Sequence, residues 1–160
     1  MNRTAMQAHI RKHEGCEYTS YDDSLGVRTV GVGFNLTRKD AKPRIEAMGL
    51  DYDLVYAGKL KLADAHCRAL LMVDVEDAIE AASAIVGSFE DQPEDVQLVI
   101  VDMIFNLGAP RFAKFTKAIA ALEARDYCTA AAEMRSSRWA EQVPNRARAD
   151  IEIVLGHCDR

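Results

Sequence analysis

The chain has 160 residues, of which 49% are hydrophobic and 28% are charged, and this length and composition suit one globular domain with room for two lobes. A formal net charge of -5 argues against nucleic acid as a partner, because phosphate binding rests on clustered lysine and arginine. No apolar run reaches the length of a membrane span or of a signal peptide, so we expect no transmembrane segment and synthesis in the cytoplasm.

The first part of the chain predicts a short helix followed by a β-hairpin. Apolar residues at helical spacing precede Glu14, and β-branched residues follow a run of turn formers. A later helical pattern is interrupted by Pro43, which disfavours a continuous helix there. We therefore expect a small α/β lobe over residues 1–61, with a helix over 4–14, strands over 17–21 and 27–32 around a turn at 22–26, and a weaker helical segment over 37–48.

The rest of the chain carries apolar residues at helical spacing almost throughout. A long pattern over 62–86 ends at Gly87 and predicts a helix that connects two lobes. The next helix has little polar surface, which favours the centre of a bundle. The predicted fold is therefore α+β, with the small β-hairpin lobe joined by this helix to an all-α lobe over 87–160. The helices predicted in that last lobe cover 91–108, 116–123, 126–134, a short stretch around Trp139, and 145–155.

The cysteines and histidines show no metal-binding or catalytic spacing. The four cysteines, at positions 16, 67, 128 and 158, are widely scattered and include no Cys-x-x-Cys pair, so we interpret them as free thiols. His9 and His13 lie one helical turn apart without a third ligand nearby, which an amphipathic helix face explains better than a metal site. The sequence thus indicates neither a metal nor another cofactor.

The stretch from Glu14 to Gly33 gathers acids, a turn and closely spaced glycines. Cleavage of a glycosidic bond needs a protonated acid and a carboxylate that activates water or attacks the anomeric carbon. Glu14 suits the first role, because the negative end of a helix disfavours its ionised form, and Asp23 in a polar turn suits the second. Thr29 could orient a water, and Gly31 allows close approach to the backbone. Such residues are also common at ordinary surfaces, so spacing alone leaves a non-catalytic interpretation open.

Between positions 13 and 37 the chain reads HEGCEYTSYDDSLGVRTVGVGFNLT, and this stretch resembles the active-site segment of the phage-type lysozymes, the T4-type endolysin muramidases. In that family a Glu-Gly pair ends the first helix, an Asp follows nine residues after the Glu, and a Thr six residues later opens a Thr-x-Gly-x-Gly strand. The resemblance implies that Glu14 is the general acid, Asp23 the second carboxylate and Thr29 the residue that positions water. Asp22 is a rival carboxylate at a spacing of eight.

A second block, in the predicted helical lobe, resembles the same family. Phe105, Asn106 and the Leu-Gly that follows them are similar to an aromatic-amide segment, and the SRW and Q-x-P-N-R-A motifs within 137–147 are similar to a family signature. The implied roles are sugar contact for Phe105 and Asn106, and support of the acid for Arg146 together with Arg138.

Several positions depart from the family pattern. Leu25 stands where the family usually carries an acid opposite the arginine at position 138, so that ion pair is not expected. Phe34 replaces the histidine that commonly follows the strand, which leaves Asp74 without that partner. We count Gly31 and Asn35 among the expected substrate-binding residues. Asn35 is one of three altered substrate-contacting positions, because the leucine, serine and asparagine of the family are here Asn35, Ala118 and Glu133.

The resemblance implies a two-lobed lysozyme that binds substrate between its lobes and hydrolyses the β-1,4 bond from N-acetylmuramic acid to N-acetylglucosamine with inversion. The expected partner is the peptidoglycan glycan strand, with no cofactor. We expect a monomer made in the host cytoplasm, which reaches the cell wall after a separate protein permeabilises the membrane. Two alternatives stay open: a lytic transglycosylase, which needs no water-activating carboxylate, and a non-catalytic wall-binding or phage structural module.

Overall fold

The computed structural model of the chain describes residues 2–158 and contains, within that range, ten α-helices and one antiparallel sheet. The predicted α+β class is confirmed. None of the helices formed by these residues is both long enough and apolar enough to cross a bilayer. The strands are β1 (Glu17–Asp22), β2 (Arg28–Gly31) and β3 (Phe34–Asn35), and the helices are α1 (Arg3–Glu14), α2 (Ala41–Ala47), α3 (Tyr52–Tyr56), α4 (Asp64–Ile85), α5 (Glu94–Leu107), α6 (Ala109–Phe112), α7 (Thr116–Glu123), α8 (Tyr127–Arg135), α9 (Arg138–Gln142) and α10 (Pro144–Leu155), with a 3-10 turn at Phe89–Asp91.

The chain divides into two compact units, and the division falls inside two helices. The sheet unit comprises Gln7–Val75. The helical unit comprises residues 2–6 and 76–158 of the described chain. The long helix predicted over 62–86 exists as α4, which begins in the sheet unit and ends in the helical unit.

Strand alternation gives the sheet one apolar face. Val30 of β2 pairs with Phe34 of β3, and both side chains are buried. Successive residues of a strand point to opposite faces, so Thr29 lies on the other side of the sheet. The apolar face packs with residues from α2, α3 and α4 into the core of the sheet unit, which contains Val30, Phe34, Leu36, Ala41, Ile45, Val55, Leu62, Cys67 and Leu70.

The segment after the sheet forms shorter elements than the sequence pattern indicates. The helix α2 begins at Ala41, so Pro43 falls in its first turn. A proline there costs no hydrogen bond, because the first amide groups of a helix have no intrahelical acceptor. The strand β3 and the helix α3 were not predicted, since elements of 2 and 5 residues are too short to show a periodicity.

The helix α5 is the central helix of the helical unit, as its small polar surface predicts. It packs against α6 and α10, while α8 packs against α7 and α10. The fully buried Asp102 of α5 accepts two hydrogen bonds from Arg146 of α10, from Nε to Oδ2 and from Nη2 to Oδ1, both at 2.7 Å. This bidentate geometry satisfies both charges inside the bundle. The buried residues of α5 are Val96, Gln97, Val99, Ile100, Val101, Asp102, Met103 and Ile104.

Cys128 and Cys158 form a disulfide, so the interpretation of all four cysteines as free thiols is wrong. Their Cα atoms lie 5.1 Å apart, although 30 residues separate them in the sequence. The bond ties the start of α8 to the turn that follows α10, and only the packing of these helices brings the two residues together. Cys16 and Cys67 of the sheet unit are free.

Candidate active site

Glu14 is the last residue of α1 and is exposed. The helix ends there because Gly15 adopts a positive φ of 73°, a conformation that glycine reaches without steric cost. The Gly15 amide donates to the Arg11 carbonyl at 2.9 Å, which closes the last turn. The predicted position of Glu14 at a helix C-terminus is therefore confirmed.

One turn before Glu14, Arg11 anchors α1 to the start of α4. Its guanidinium donates to Asp64 Oδ1 at 2.5 Å and to the Tyr18 hydroxyl at 2.9 Å. The Tyr18 hydroxyl donates in turn to the same Asp64 oxygen at 3.1 Å. The hydrogen bond from Arg11 lowers the pKa of the Asp64 carboxyl, so this cluster keeps its charges at neutral pH. It holds the end of the helix that carries Glu14.

Asp23 lies in the turn between β1 and β2 and uses one carboxylate oxygen to build that turn. Its Oδ1 accepts hydrogen bonds from the amides of Leu25 and Val27, both at 2.8 Å. Its own amide donates to the Val27 carbonyl at 3.0 Å. Within residues 2–158 no hydrogen bond reaches Oδ2, so that oxygen can still accept one. Turn formation therefore uses one oxygen of this carboxylate and leaves the other able to accept a hydrogen bond.

Asp22, the rival carboxylate, has a different environment. It lies opposite Arg28 in the hairpin, with Oδ1 at 3.3 Å from Nη1 of that arginine. Asp22 is the last residue of β1, whereas Asp23 lies in the turn with its own hydrogen-bond partners. The two neighbouring carboxylates are therefore used differently, Asp22 in an ion pair with Arg28 and Asp23 in the turn.

Thr29 lies opposite Tyr21 in the hairpin and is 3% exposed. Directly opposed residues of a hairpin share a face, so Thr29 and Tyr21 lie on one face, and Asp23 follows Tyr21 two residues later in the turn. The Thr29 hydroxyl donates its hydrogen to the Val27 carbonyl at 2.9 Å. Toward a further partner such as water, the Thr29 oxygen can therefore act only as an acceptor.

Tyr21 is a residue of this face that sequence reasoning missed. Burial, followed by the charges of Glu17, Asp23 and Glu14, raises the pKa of its phenol. The phenol therefore stays protonated and offers an O–H donor among these carboxylates. The available signal was the two-residue spacing of Tyr21 and Asp23, which has meaning only once the hairpin register is known.

The other predicted substrate-binding residues of the sheet unit have contrasting surroundings. Gly31 is buried with a φ of 67°, and a Cβ added there would lie 3.7 Å from the Cys67 sulfur. Its positive φ, more than the space beside α4, requires glycine. Asn35 uses Oδ1 to accept from the amide and the hydroxyl of Thr37, both at 2.7 Å. The side-chain amide nitrogen of Asn35 thus remains able to donate to a ligand.

Asp74 lacks the family's histidine partner, as predicted from Phe34, and pairs instead with Arg38. Its Nη1 lies 2.5 Å from Asp74 Oδ1, and its Nε lies 3.0 Å from Asp40 Oδ1. The guanidinium also lies over the Phe34 ring, 5.2 Å from the centroid, in a cation–π contact. Hydrogen bonds from Arg44 and then Arg38 lower the pKa of Asp40 to about 2. Phe34, which replaces the family's histidine, therefore contacts Arg38, and Arg38 is the cation that pairs with Asp74.

Four residues predicted to serve the site belong to the helical unit. Phe105 and Asn106 are partly buried near the end of α5, and Asn106 Oδ1 accepts a hydrogen bond from Trp139 Nε1 at 2.9 Å. Trp139 itself is 3% exposed and belongs to the bundle core. Arg138 is exposed at the start of α9. Arg146 is 6% exposed and holds the buried aspartate of α5, a partner that the sequence did not indicate.

Comparison with known proteins places this geometry in a family. Residues 11–149 match the family described as "Phage lysozyme". The chain belongs to the phage lysozyme family. It is similar to "Probable T4-type lysozyme 2" of Dictyostelium discoideum, 23% identical over 160 residues that cover 94% of this chain and 93% of that protein. It is also similar to "Probable T4-type lysozyme 1" of the same organism, 24% identical over 153 residues that cover 91% and 90% of the two chains.

Membership of the phage lysozyme family confirms the resemblance found in the sequence and gives the chain a lysozyme-like function, that of a glycoside hydrolase. The matched range contains both blocks that carry the resemblance. The departures from the family pattern differ in burial, since Leu25 is exposed while Phe34 and Ala118 are buried. Leu25 is 85% exposed at the tip of the β1–β2 turn, and Ala118 and Glu133 line a cavity of the helical unit.

Proposed function

We propose that this member of the phage lysozyme family hydrolyses the β-1,4 bond between N-acetylmuramic acid and N-acetylglucosamine in peptidoglycan. Glu14 is the general acid, Asp23 the second carboxylate and Thr29 the residue that positions water. The observation that carries the proposal is the division of labour within Asp23. Its Oδ1 is bound by two turn amides, while its Oδ2 accepts no hydrogen bond within residues 2–158.

The hydrogen bonds that Asp23 and Thr29 already make define how a water between them would be held. A water between Asp23 Oδ2 and Thr29 Oγ1 meets two acceptors, because the Thr29 hydrogen is donated to the Val27 carbonyl. The water donates one hydrogen to each oxygen, which directs its lone pair away from both. In the proposed reaction this lone pair attacks the anomeric carbon while Asp23 takes the proton of the water.

The leaving oxygen receives its proton from Glu14 at the end of α1. The glycosidic bond breaks as the new bond to water forms on the opposite face of the sugar, so the configuration at the anomeric carbon is inverted. Glu14 ends the reaction deprotonated and Asp23 protonated, and exchange with solvent restores both groups. The reaction needs two carboxyl groups and one water.

The test compares the clearing of purified peptidoglycan by wild type and by three variants. Glu14→Gln removes the transferable proton, and Asp23→Asn removes the base but keeps an oxygen for the turn amides. Each should lower the rate by about 100-fold or more, the usual contribution of a positioned acid or base. Asp22→Asn is the matched control and should clear peptidoglycan at nearly the wild-type rate. Equal loss in Asp22→Asn and Asp23→Asn would contradict the assignment of Asp23.

A lytic transglycosylase is the alternative enzyme, and it needs the acid but no water-activating carboxylate. The acceptor pair formed by Asp23 and Thr29 supports hydrolysis instead. Product analysis separates the two reactions, because hydrolysis leaves a reducing sugar end and transglycosylation leaves an anhydro sugar end. If neither wild type nor Glu14→Gln clears peptidoglycan, a non-catalytic wall-binding module becomes the better description. Equal clearing by both would count against Glu14 as the general acid.

A further inference from the structure

The two free cysteines of the sheet unit lie side by side, although they are far apart in the sequence. Cys16 lies between α1 and β1, and Cys67 lies in the first turn of α4. The Cys16 side chain packs against the hydrophobic core cluster that contains Cys67. A hydrogen bond joins the two thiols. The fold therefore brings a second pair of cysteines into contact, besides the pair that forms the disulfide of the helical unit.

Backbone contacts hold the segment that carries Cys16 against α4. The residue after Cys16 lies opposite Gly31 of β2. A Cβ added to Gly31 would lie 3.7 Å from the Cys67 sulfur, so β2 runs directly beside this part of α4. The Tyr18 carbonyl of β1 accepts a hydrogen bond from the Leu62 amide at 2.8 Å, just before α4 begins. The contact between the two cysteines is thus built into the packing of the sheet on the helix.

The two thiols differ in exposure and therefore in reactivity. Cys67 is fully buried, whereas Cys16 is partly exposed. Burial, followed by the hydrogen bond with Cys16, raises the pKa of the Cys67 thiol to about 12. Cys67 therefore keeps its proton at neutral pH and donates the hydrogen bond to the Cys16 sulfur. The thiolate is the nucleophilic form of a cysteine, so Cys16 is the sulfur that can attack an oxidant first.

The charged neighbours of the two cysteines come from the same two segments. Arg11 of α1 and Asp64 of α4 interact electrostatically with Cys67, and Arg11 also interacts with Cys16. Arg11 and Asp64 form the ion pair that anchors the end of α1 to the start of α4. The two thiols and the two charges therefore connect the same parts of the sheet unit.

We propose that Cys16 and Cys67 are an oxidisable dithiol, in which Cys16 reacts first with a disulfide oxidant and Cys67 then closes a second intramolecular disulfide. The closed bond ties the segment directly after Glu14 to α4, where Arg11 and Asp64 already hold the end of α1. The disulfide of the helical unit forms under oxidising conditions, and those conditions expose the dithiol to the same oxidants. The proposal does not depend on cleavage of a glycan.

The oxidant is a small-molecule disulfide such as oxidised glutathione, and the reaction is a thiol–disulfide exchange. The Cys16 thiolate attacks one sulfur of the oxidant, which forms a mixed disulfide and releases one glutathione thiolate. Cys67 then loses its proton and attacks the Cys16 sulfur, which forms the intramolecular bond and releases the second glutathione. The protein loses two electrons and two protons, and the oxidant gains them as two thiols.

Incubation of the folded chain with oxidised glutathione tests the pairing. Remaining thiols are then blocked with N-ethylmaleimide in denaturant, and the peptides are mapped by mass spectrometry without reduction. Wild type should give a cross-link between the peptides that contain Cys16 and Cys67, with neither residue blocked. Two free thiols after the incubation would overturn the proposal and leave Cys16 and Cys67 as packing residues only. Cross-links from either residue to Cys128 or Cys158 would also overturn it.

Two alanine variants separate the steps of the reaction. Cys67→Ala keeps the first step and should stop at a mixed disulfide between Cys16 and glutathione. Cys16→Ala keeps only the buried thiol, which should react about tenfold more slowly or not at all. Equal rates in the two variants would overturn the order of the steps. Circular dichroism must show equal helix content in all three proteins, and the wild-type peptide map tests the pairing even if a variant folds poorly.

Thermal unfolding tests the tether between the two segments. Under oxidising conditions wild type should carry both disulfides, whereas Cys16→Ala carries only the bond of the helical unit. The additional bond restricts the unfolded chain, so wild type should melt about 5 °C or more above the variant. In reductant most of this difference should disappear. An equal difference with and without reductant would report the alanine rather than the bond and would overturn the tether.

Hydrogen exchange of the Gly15 amide, measured by NMR, reports on the end of α1 itself. This amide donates to the Arg11 carbonyl and closes the last turn before the cysteine. In oxidised wild type it should exchange about tenfold more slowly than in oxidised Cys16→Ala, because the bond opposes local opening of that turn. Equal exchange rates in the two proteins would overturn the role of the bond at the end of α1.

Discussion

The sheet unit and the helical unit use their charged side chains differently. In the sheet unit, Arg11 and Arg38 contact carboxylates that hold the end of α1 and the segment after β3 in place. In the helical unit, Arg146 is buried against Asp102. A cavity of this unit is lined by four cations that have no ion-pair partner among the described residues, and these are Arg111, Lys114, Lys117 and Arg138. The difference teaches that paired charges hold the scaffold of both units, whereas the cavity cations take no part in holding it.

The largest effect on stability should come from the buried pair of the helical unit. Asp102→Leu removes two hydrogen bonds from a guanidinium in the bundle core and should lower the free energy of unfolding by about 3–5 kcal/mol. The matched control is Asp22→Asn, which breaks an exposed pair and should cost about 0.5 kcal/mol. Urea denaturation measures both. Similar losses in the two variants would show that burial does not distinguish these pairs.

The disulfide should rank next. Its removal in Cys128→Ser/Cys158→Ser opens a loop of 30 residues and should lower the free energy of unfolding. The chain-entropy estimate for a loop of that length is about 3–4 kcal/mol. Thermal unfolding with and without a reductant measures the effect, and the double variant, which has no bond to reduce, is the control. A wild-type melting temperature that does not respond to reductant would contradict the bond.

A smaller effect is expected for the pair that replaces the histidine contact of the sheet unit. Asp74→Asn weakens a partly buried pair with Arg38 and should cost about 1–2 kcal/mol in the free energy of unfolding. Arg38→Lys keeps the charge but loses the planar contacts with Asp40 and Phe34, so its loss should be similar. A lysine variant as stable as wild type would show that the charge alone is sufficient.

The smallest effect is a pH dependence from Asp40. Its folded-state pKa is lowered to about 2, so its contribution to stability is present above the ordinary pKa of an aspartate and is lost as the pH falls toward 2. The side chain is 37% exposed, and solvent screening reduces the contribution to about 1 kcal/mol or less. The difference in unfolding free energy between wild type and Asp40→Asn should therefore shrink between about pH 5 and about pH 2. An equal difference at both pH values would contradict it.

Local features of the fold and of the candidate site were predictable from the sequence. The end of α1 at Glu14 follows from Gly15, and the turn that contains Asp23 follows from its neighbouring turn formers, because each depends on residues a few positions away. The sequence could not show which oxygen of Asp23 builds the turn. Nor could it place Tyr21 beside that carboxylate, because this placement depends on the register of the hairpin.

The sequence by itself determined the α+β class, the central position of α5 and membership of the phage lysozyme family, since these rest on short-range periodicity and on motifs read along the chain. Only the tertiary structure decided that Cys128 bonds to Cys158, that Asp102 holds Arg146, and that Arg38 replaces a histidine on Asp74. It also decided that the cations after α6 and at the start of α9 meet around one cavity. The physical reason is the same in each case, because packing of whole helices and strands sets the distances between side chains that are far apart in the sequence.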